Sequence, residues 1–160
     1  MMDQGPIQAA ELFEEAYRHH IAGELDEAVR LYKRSIAAHP TAEAYTFLGW
    51  TYSFQGRVDD AIAQCKKAIG VDPEFGNPYN DIGAYLIQLG RLDDALGWLE
   101  QAKLASRYDA RHFPYLNAGR VHLARGSLGM ALNEFRAALR IHRKDPLARE
   151  MVRLIQTRLN

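Results

Sequence analysis

The chain reads Gly56-Arg57-Val58-Asp59-Asp60-Ala61 and then, 34 residues later, Gly90-Arg91-Leu92-Asp93-Asp94-Ala95. Looser copies of this stretch begin at Gly23 and Gly126, so the four glycines are spaced by 33, 34 and 36 residues. Periods of this length are typical of solenoids built from helical hairpins. The repeat length alone therefore indicates the fold class.

Small and large side chains recur at fixed distances from each glycine. Five residues after it stand Ala28, Ala61, Ala95 and Ala131, and seven before it stand Ala16, Gly49, Gly83 and Gly119. Apolar residues at three- and four-residue spacing on both sides predict two amphipathic helices. The glycine is expected to end the first helix in a left-handed cap, and the small residues to let the paired helices approach closely.

The predicted helix starts carry acids or capping residues. Asp26, Asp59 and Asp93 are expected as caps or first-turn acids of the second helices. Thr41 is expected to cap the helix that holds Tyr45. Asn77-Pro78 and Asp145-Pro146 each place a capping residue before a proline in the first turn.

The pattern resembles the tetratricopeptide repeat family over about residues 8–146. The second repeat carries it best, with Tyr45, Leu48, Gly49, Tyr52, Ala61, Ala68 and Pro73 in pattern. In the third repeat Arg107 replaces the closing proline. The resemblance implies one all-α domain over 1–160, a right-handed α-solenoid of about four helix-turn-helix repeats. Their approximate bounds are 8–41, 42–75, 76–109 and 112–145, with a capping helix at 146–159.

That last helix has one apolar face, made of Leu147, Met151, Leu154, Ile155 and Leu159. A solenoid needs such an end cap, because the last repeat otherwise exposes its stacking face. The alternative is that the helix opens an incomplete fifth repeat.

Composition argues against several classes of function. Lys plus Arg and Asp plus Glu balance at 20 each, so a nucleic-acid partner is not expected. The N-terminal segment Met1–Pro6 shows no secretory signal, and no apolar run approaches the roughly 18 residues of a membrane span. We therefore expect a cytoplasmic protein without a membrane partner.

No arrangement of reactive side chains indicates catalysis. Glycine-rich phosphate loops and paired catalytic carboxylates are lacking, so neither enzyme activity nor a cofactor is expected. The lone Cys65 is expected to be a buried, inert thiol. His19 and His122 are expected to pack between helices rather than bind a metal, and no metal site is predicted.

The resemblance implies that the first helix of each repeat lines a concave groove, where partners usually bind. The expected lining residues are Phe13, Tyr17, His20, Thr46, Trp50, Phe54, Asn80, Ala84, Ile87 and Arg120. Family members that clamp a C-terminal carboxylate place Lys, Asn and Arg here, and only Asn80 and Arg120 resemble that clamp. The aromatic residues favour an adaptor or assembly chaperone that binds an apolar peptide segment or amphipathic helix.

Two features leave alternatives open. The link at 106–114 has two extra residues: it is either a longer helix end with a shifted turn, or a contact surface that includes Tyr108, Arg111 and His112. Charge is also polarised, with net −5 in residues 1–30 (seven acids, two bases) and net +5 in residues 136–160 (seven bases, two acids). These ends are either solvated faces or the contacts of a weak head-to-tail homo-oligomer, which is the alternative function.

Overall fold

The structure is a computed structural model that describes residues 3–160. Met1 and Met2, the start of the segment in which no secretory signal is expected, lie outside the described residues. The helices are α1 (Gly5–Ile21), α2 (Leu25–Ala38), α3 (Ala42–Phe54), α4 (Val58–Val71), α5 (Asn77–Gln88), α6 (Leu92–Leu104), α7 (Phe113–Ala124), α8 (Leu128–Ile141) and α9 (Pro146–Leu159). Over this range the only β-type pairing is an isolated bridge between Phe75 and Arg107. The all-α prediction is confirmed.

The turn glycines adopt the left-handed conformation that the sequence predicts. Gly23, Gly56, Gly90 and Gly126 have φ angles of +80°, +75°, +76° and +74°. After each glycine the next amide returns to the preceding helix, as in the 2.9 Å bond from the Arg57 amide to the Tyr52 carbonyl. Such a bond closes the helix end, and only glycine reaches this conformation without strain.

Small residues allow the two helices of a repeat to pack closely against each other. A Cβ added to Gly49 would lie 2.9 Å from the Ala61 carbonyl oxygen, and one added to Gly119 would lie 2.7 Å from the Phe135 ring. Ala61 is fully buried. Cys65 is fully buried beside them, and burial raises the pKa of its thiol well above the usual value, as an inert cysteine requires.

The predicted helix starts are confirmed in part. Thr41 Oγ accepts a 3.1 Å hydrogen bond from the Ala44 amide, and Asp145 Oδ1 accepts one of 2.8 Å from the Ala148 amide. The prediction that Asn77 caps α5 is wrong, because Gly76 occupies the cap position and Asn77 is already helical. Asp26, Asp59 and Asp93 are first-turn acids of α2, α4 and α6.

The link between the third and fourth repeats interlocks with the loop after α4. The Gly76 amide donates to the Arg107 carbonyl at 3.0 Å, and the Arg107 amide donates to the Glu74 carbonyl at 2.9 Å. The Arg107 guanidinium also pairs with Asp72 and Glu43, at 2.8 and 2.7 Å. The family's proline at this position would lack the amide that bonds Glu74, which explains the departure from the pattern.

The first helices of successive repeats form the inner layer. Helix α1 contacts α3, α3 contacts α5, and α5 contacts α7. Each second helix packs between its own first helix and the helix that follows it. The fourth repeat ends against α9, which buries Ala148 and Ile155 with Leu132 and Phe135. None of the helices described between residues 3 and 160 has the length and hydropathy needed to cross a bilayer.

Candidate functional site

A cavity of about 650 Å³ opens on the inner layer between α1, α3, α5 and the start of α7. Six aromatic side chains line it: Phe13, Tyr17, Phe47, Trp50, Tyr108 and Phe113. The other lining residues are Glu14, Thr46, Asn77, Asn80, Asp81 and Ala110. Three successive repeats and the 106–114 link therefore contribute to one site.

Phe47 lies at the centre of the aromatic residues. Its ring makes edge-to-face contacts with Phe13, Tyr17 and Trp50, at centroid distances of 5.1, 5.9 and 5.7 Å. Such pairs stabilise the arrangement beyond the area they bury. Tyr17 remains 39% exposed and Phe113 45% exposed, so the cavity offers apolar surface to a ligand.

His20 lies beneath Trp50 instead of lining the groove, contrary to the prediction. Its ring stacks on the indole with centroids 4.0 Å apart, and it is only 6% exposed. His20 Nδ1 is 2.8 Å from Thr51 Oγ, whose hydroxyl proton goes to the Phe47 carbonyl. Nδ1 must therefore donate. Burial lowers the pKa of His20, which keeps the ring neutral.

A chain of amides fixes the polar end of the cavity. Asn80 Oδ1 accepts a 3.0 Å hydrogen bond from Asn117 Nδ2, and Asn117 Oδ1 accepts one of 3.0 Å from Arg120. Arg120 is thus connected to the cavity but does not line it. Thr46 donates to the Ala42 carbonyl at 2.7 Å, so its hydroxyl proton is also committed within the fold.

Asp81 lines the same end of the cavity and was not predicted as a site residue. It is half-buried, and burial raises the pKa of its carboxyl to about 7, against the opposite, smaller effect of Asn80. The pKa of Tyr108 is raised by burial and then by the charge of Asp81. Burying the charged form of a carboxyl beside aromatic side chains is unfavourable unless a partner compensates it.

The position of Asp81 within its repeat indicates that it belongs to the site. Nine residues before the turn glycines stand Glu14, Phe47, Asp81 and Asn117. The first three all line the cavity, and the fourth bonds Asn80. The predicted groove residues lie at neighbouring positions of the same helices and do not include the position nine residues before the glycine.

The remaining predicted residues lie outside the cavity. Phe54 is 60% exposed at the end of α3, with its ring edge-to-face to Trp50 at 5.4 Å. Ala84 and Ile87 are half-buried on α5, and Ile87 packs against the core. The cavity itself brings together Phe13, Tyr17, Thr46, Trp50 and Asn80.

The 106–114 link contributes to the site through only some of its residues. Tyr108 is buried against Gly76, where an added Cβ would lie 2.2 Å from the ring, and it lines the cavity with Ala110. Arg111 turns back to donate to the Ser106 carbonyl at 2.9 Å. His112 lies elsewhere, beside α9.

Among residues 3–160, one cluster of possible metal ligands forms away from the cavity. The ligand atoms of His112, His142 and Asp145 lie within 4.8 Å of one another. The two imidazoles are stacked, with centroids 4.7 Å apart and planes at 19°, so their in-plane lone pairs do not converge on one point. The half-exposed His142 would have to rotate before the three could share an ion. His142 and Asp145 lie three residues apart in the loop between α8 and α9, whereas His112 comes from the link before α7.

Comparison with known proteins identifies the family. The sequence model of the tetratricopeptide repeat matches residues 21–78 and 49–110, which together span more than half of the chain. The chain belongs to the tetratricopeptide repeat family. Small glutamine-rich tetratricopeptide repeat-containing protein 2 of Mycosarcoma maydis is 28% identical over 95 residues, or 59% of this chain. The match spans only 27% of that relative's length.

Solved structures share the fold at low sequence identity. PilF of Pseudomonas aeruginosa has a TM-score of 0.89 and 19% identity, over 96% of this chain and 70% of that one. PilW, a type IV pilus biogenesis factor, has a TM-score of 0.80 and 18% identity, over 88% and 64%. The first repeat domain of Spaghetti (RPAP3), bound to an HSP90 peptide, has a TM-score of 0.67 and 21% identity, over 74% and 93%.

Proposed function

We propose that this chain is a non-catalytic interaction module that binds an apolar peptide segment or amphipathic helix in the aromatic cavity. The observation that carries the proposal is the placement of six aromatic side chains around one open cavity on the inner layer. Tryptophan and tyrosine contribute disproportionately to binding energy, because they bury much area and have few rotatable bonds.

The cavity is also organised before a ligand arrives. Phe47 holds Phe13, Tyr17 and Trp50 by edge-to-face contacts, and His20 supports Trp50 from below. Side chains that are already ordered lose little conformational entropy on binding, which raises affinity. The fixed Asn80 amide stands beside them and offers a polar contact to a peptide backbone.

In the cell, the proposed role is that of a cytoplasmic adaptor or assembly chaperone. Among proteins with the same fold, RPAP3 binds an HSP90 peptide and PilW acts in type IV pilus biogenesis. The peptide bound to RPAP3 supports peptide binding as the class of function. The residues of this cavity determine which peptide this chain would select.

Selection from a displayed library of short linear peptides tests the proposal. We expect recovered peptides rich in apolar residues, whose synthetic copies bind the wild-type protein and bind Tyr17→Ala and Trp50→Ala more weakly by about tenfold or more. Glu11→Ala is the control, because Glu11 is exposed on α1 and does not line the cavity. Peptides whose affinity is unchanged by both aromatic substitutions, or a selection without binders, would contradict the proposal.

A further inference from the structure

The cavity carries negative charge within its aromatic lining. Glu14 and Asp81 are its charged lining residues, and lysine, arginine and histidine do not occur among the lining residues described. Among residues 3–160, neither carboxylate takes part in an ion pair. Elsewhere on this molecule acids are commonly paired, as Glu134 is with Lys103 at 2.9 Å.

Repeat symmetry places the two acids on either side of the central aromatic ring. Glu14 of α1, Phe47 of α3 and Asp81 of α5 occupy the same register position in three successive repeats. Equivalent positions of stacked helices lie in a row along the inner layer, because each repeat repeats the geometry of the last. The row therefore runs from a carboxylate to an aromatic ring to a second carboxylate.

We propose that this cavity receives a lysine or arginine side chain of the bound partner, within an apolar stretch, and directs its cation to the aromatic faces and the two carboxylates. The inference rests on the proposed function and names the chemistry that the same site selects. Aromatic faces attract cations through their negative quadrupole, and a carboxylate adds a charge-assisted hydrogen bond. The long aliphatic stem of either side chain suits the surrounding rings.

The state of Asp81 supports this assignment. Burial raises the pKa of its carboxyl to about 7, because a desolvated negative charge has no cation beside it. A charge held in this way destabilises the free protein, and such compromises are typical of functional sites. A cation of the partner would compensate for the desolvation of the Asp81 carboxylate and would keep the carboxyl ionised.

An acidic partner is disfavoured by the same reasoning. The peptide in the RPAP3 structure, SRMEEVD, has three acidic side chains and a C-terminal carboxylate. In this cavity those groups would face Glu14 and Asp81 with no basic lining residue to receive them. Like charges brought together at an interface suppress binding, so the two proteins are expected to select opposite charge.

The test uses peptides from the display selection and a double-mutant cycle. In the best binder, its lysine or arginine is replaced by the neutral norleucine or citrulline, and both peptides are titrated against wild-type protein and Asp81→Asn. We expect each single change to weaken binding about tenfold, and Asp81→Asn to leave the affinity of the neutral peptide nearly unchanged. Glu14→Gln should act in the same direction with a smaller effect, because Glu14 is exposed. Asp109→Asn is the matched control, an exposed acid of the nearby link outside the cavity.

The pH dependence adds a second readout. Affinity for the basic peptide should rise between about pH 5.5 and about pH 8.5 as Asp81 ionises, whereas that for the neutral peptide should change little. Selected peptides that lack a basic residue, that are acidic, or that show no coupling to Asp81 would overturn the inference. If those peptides still lose affinity with Tyr17→Ala and Trp50→Ala, the proposed function survives and only the basic specificity fails.

Discussion

The ring of His20 lies flat against Trp50, with centroids 4.0 Å apart and planes at 19°. Thr51 Oγ1 orients the imidazole by accepting a 2.8 Å hydrogen bond from His20 Nδ1. The principal aromatic residue of the cavity is therefore supported by a neutral histidine from the preceding repeat. Protonation of His20 would place a positive charge in a buried position, which is unfavourable, and would disturb the packing beneath Trp50.

Titration of His20 is expected to report this support directly. Because burial lowers the folded-state pKa of His20 below 6.5, His20 contributes stability that is present above pH 6.5 and is lost as pH falls toward the folded pKa. Proton NMR of the imidazole Cε1–H should give a pKa below 6.5, and Trp50→Ala should bring it closer to the unperturbed value. A value at or above 6.5 in the wild-type protein would show that the ring is not buried as described.

Two aromatic substitutions should separate binding from stability. Trp50→Ala removes contacts with His20, Phe47 and Phe54, so we expect a loss of about 1–2 kcal/mol in unfolding free energy besides weaker binding. Tyr17 is 39% exposed and has one aromatic contact, so Tyr17→Ala should weaken binding with a stability change near 0.5 kcal/mol. Denaturant melts and peptide titrations on both variants check this. Equal losses of stability would indicate that Tyr17 is a core residue.

Two glycine substitutions should change stability in opposite directions. Gly49→Ala places a methyl group 2.9 Å from the backbone oxygen of Ala61, so α3 and α4 must separate. We expect it to destabilise the protein by about 1–3 kcal/mol. Gly97 is exposed within α6 and has nothing within 4 Å of an added Cβ, so Gly97→Ala should stabilise by about 1 kcal/mol. Melting curves would contradict the helix pairing if both changes had the same sign.

Asp81→Asn should stabilise the free protein in a pH-dependent way. The pKa of Asp81 rises from 3.8 to about 7 on folding, so its contribution to stability is fully present below pH 3.8 and is lost as pH rises to about 7. The variant should therefore melt above the wild type at about pH 8 and close to it at about pH 4. Asp109→Asn is the matched control, because Asp109 is an exposed acid outside the cavity. A parallel offset at both pH values would mean that Asp81 ionises normally.

Most of the fold could be predicted from the sequence, because the turn glycine and the small buried residues recur in the same register in four repeats. The φ angles of the turn glycines and the burial of Ala61 and Cys65 follow from positions that keep the same register. The predicted cap at Asn77 was wrong, because α5 begins one residue earlier than expected and Gly76 is the cap residue. Tyr108 packs against Gly76 from a link outside the repeat pattern, a contact that the repeat does not predict.

The site was less predictable, because its polar residues depend on packing between repeats. The large aromatic residues Tyr17 and Trp50 were identified from the groove face of their helices, and both line the cavity. His20 lies on the same predicted face but turns beneath Trp50 to reach Thr51. Asp81 could have been found from its register with Glu14, although only the structure shows that both acids line one cavity.

The binding site is tested most directly by a map of where a selected peptide contacts the protein. Amide ¹H–¹⁵N correlation spectra of the protein, recorded during titration with that peptide, locate the contact residue by residue. We predict that the largest shifts fall in α1, α3, α5 and residues 108–113, with the Trp50 indole signal among them. Shifts confined to the outer helices α2, α4 and α6, or to α9, would contradict the claim that this cavity is the binding site.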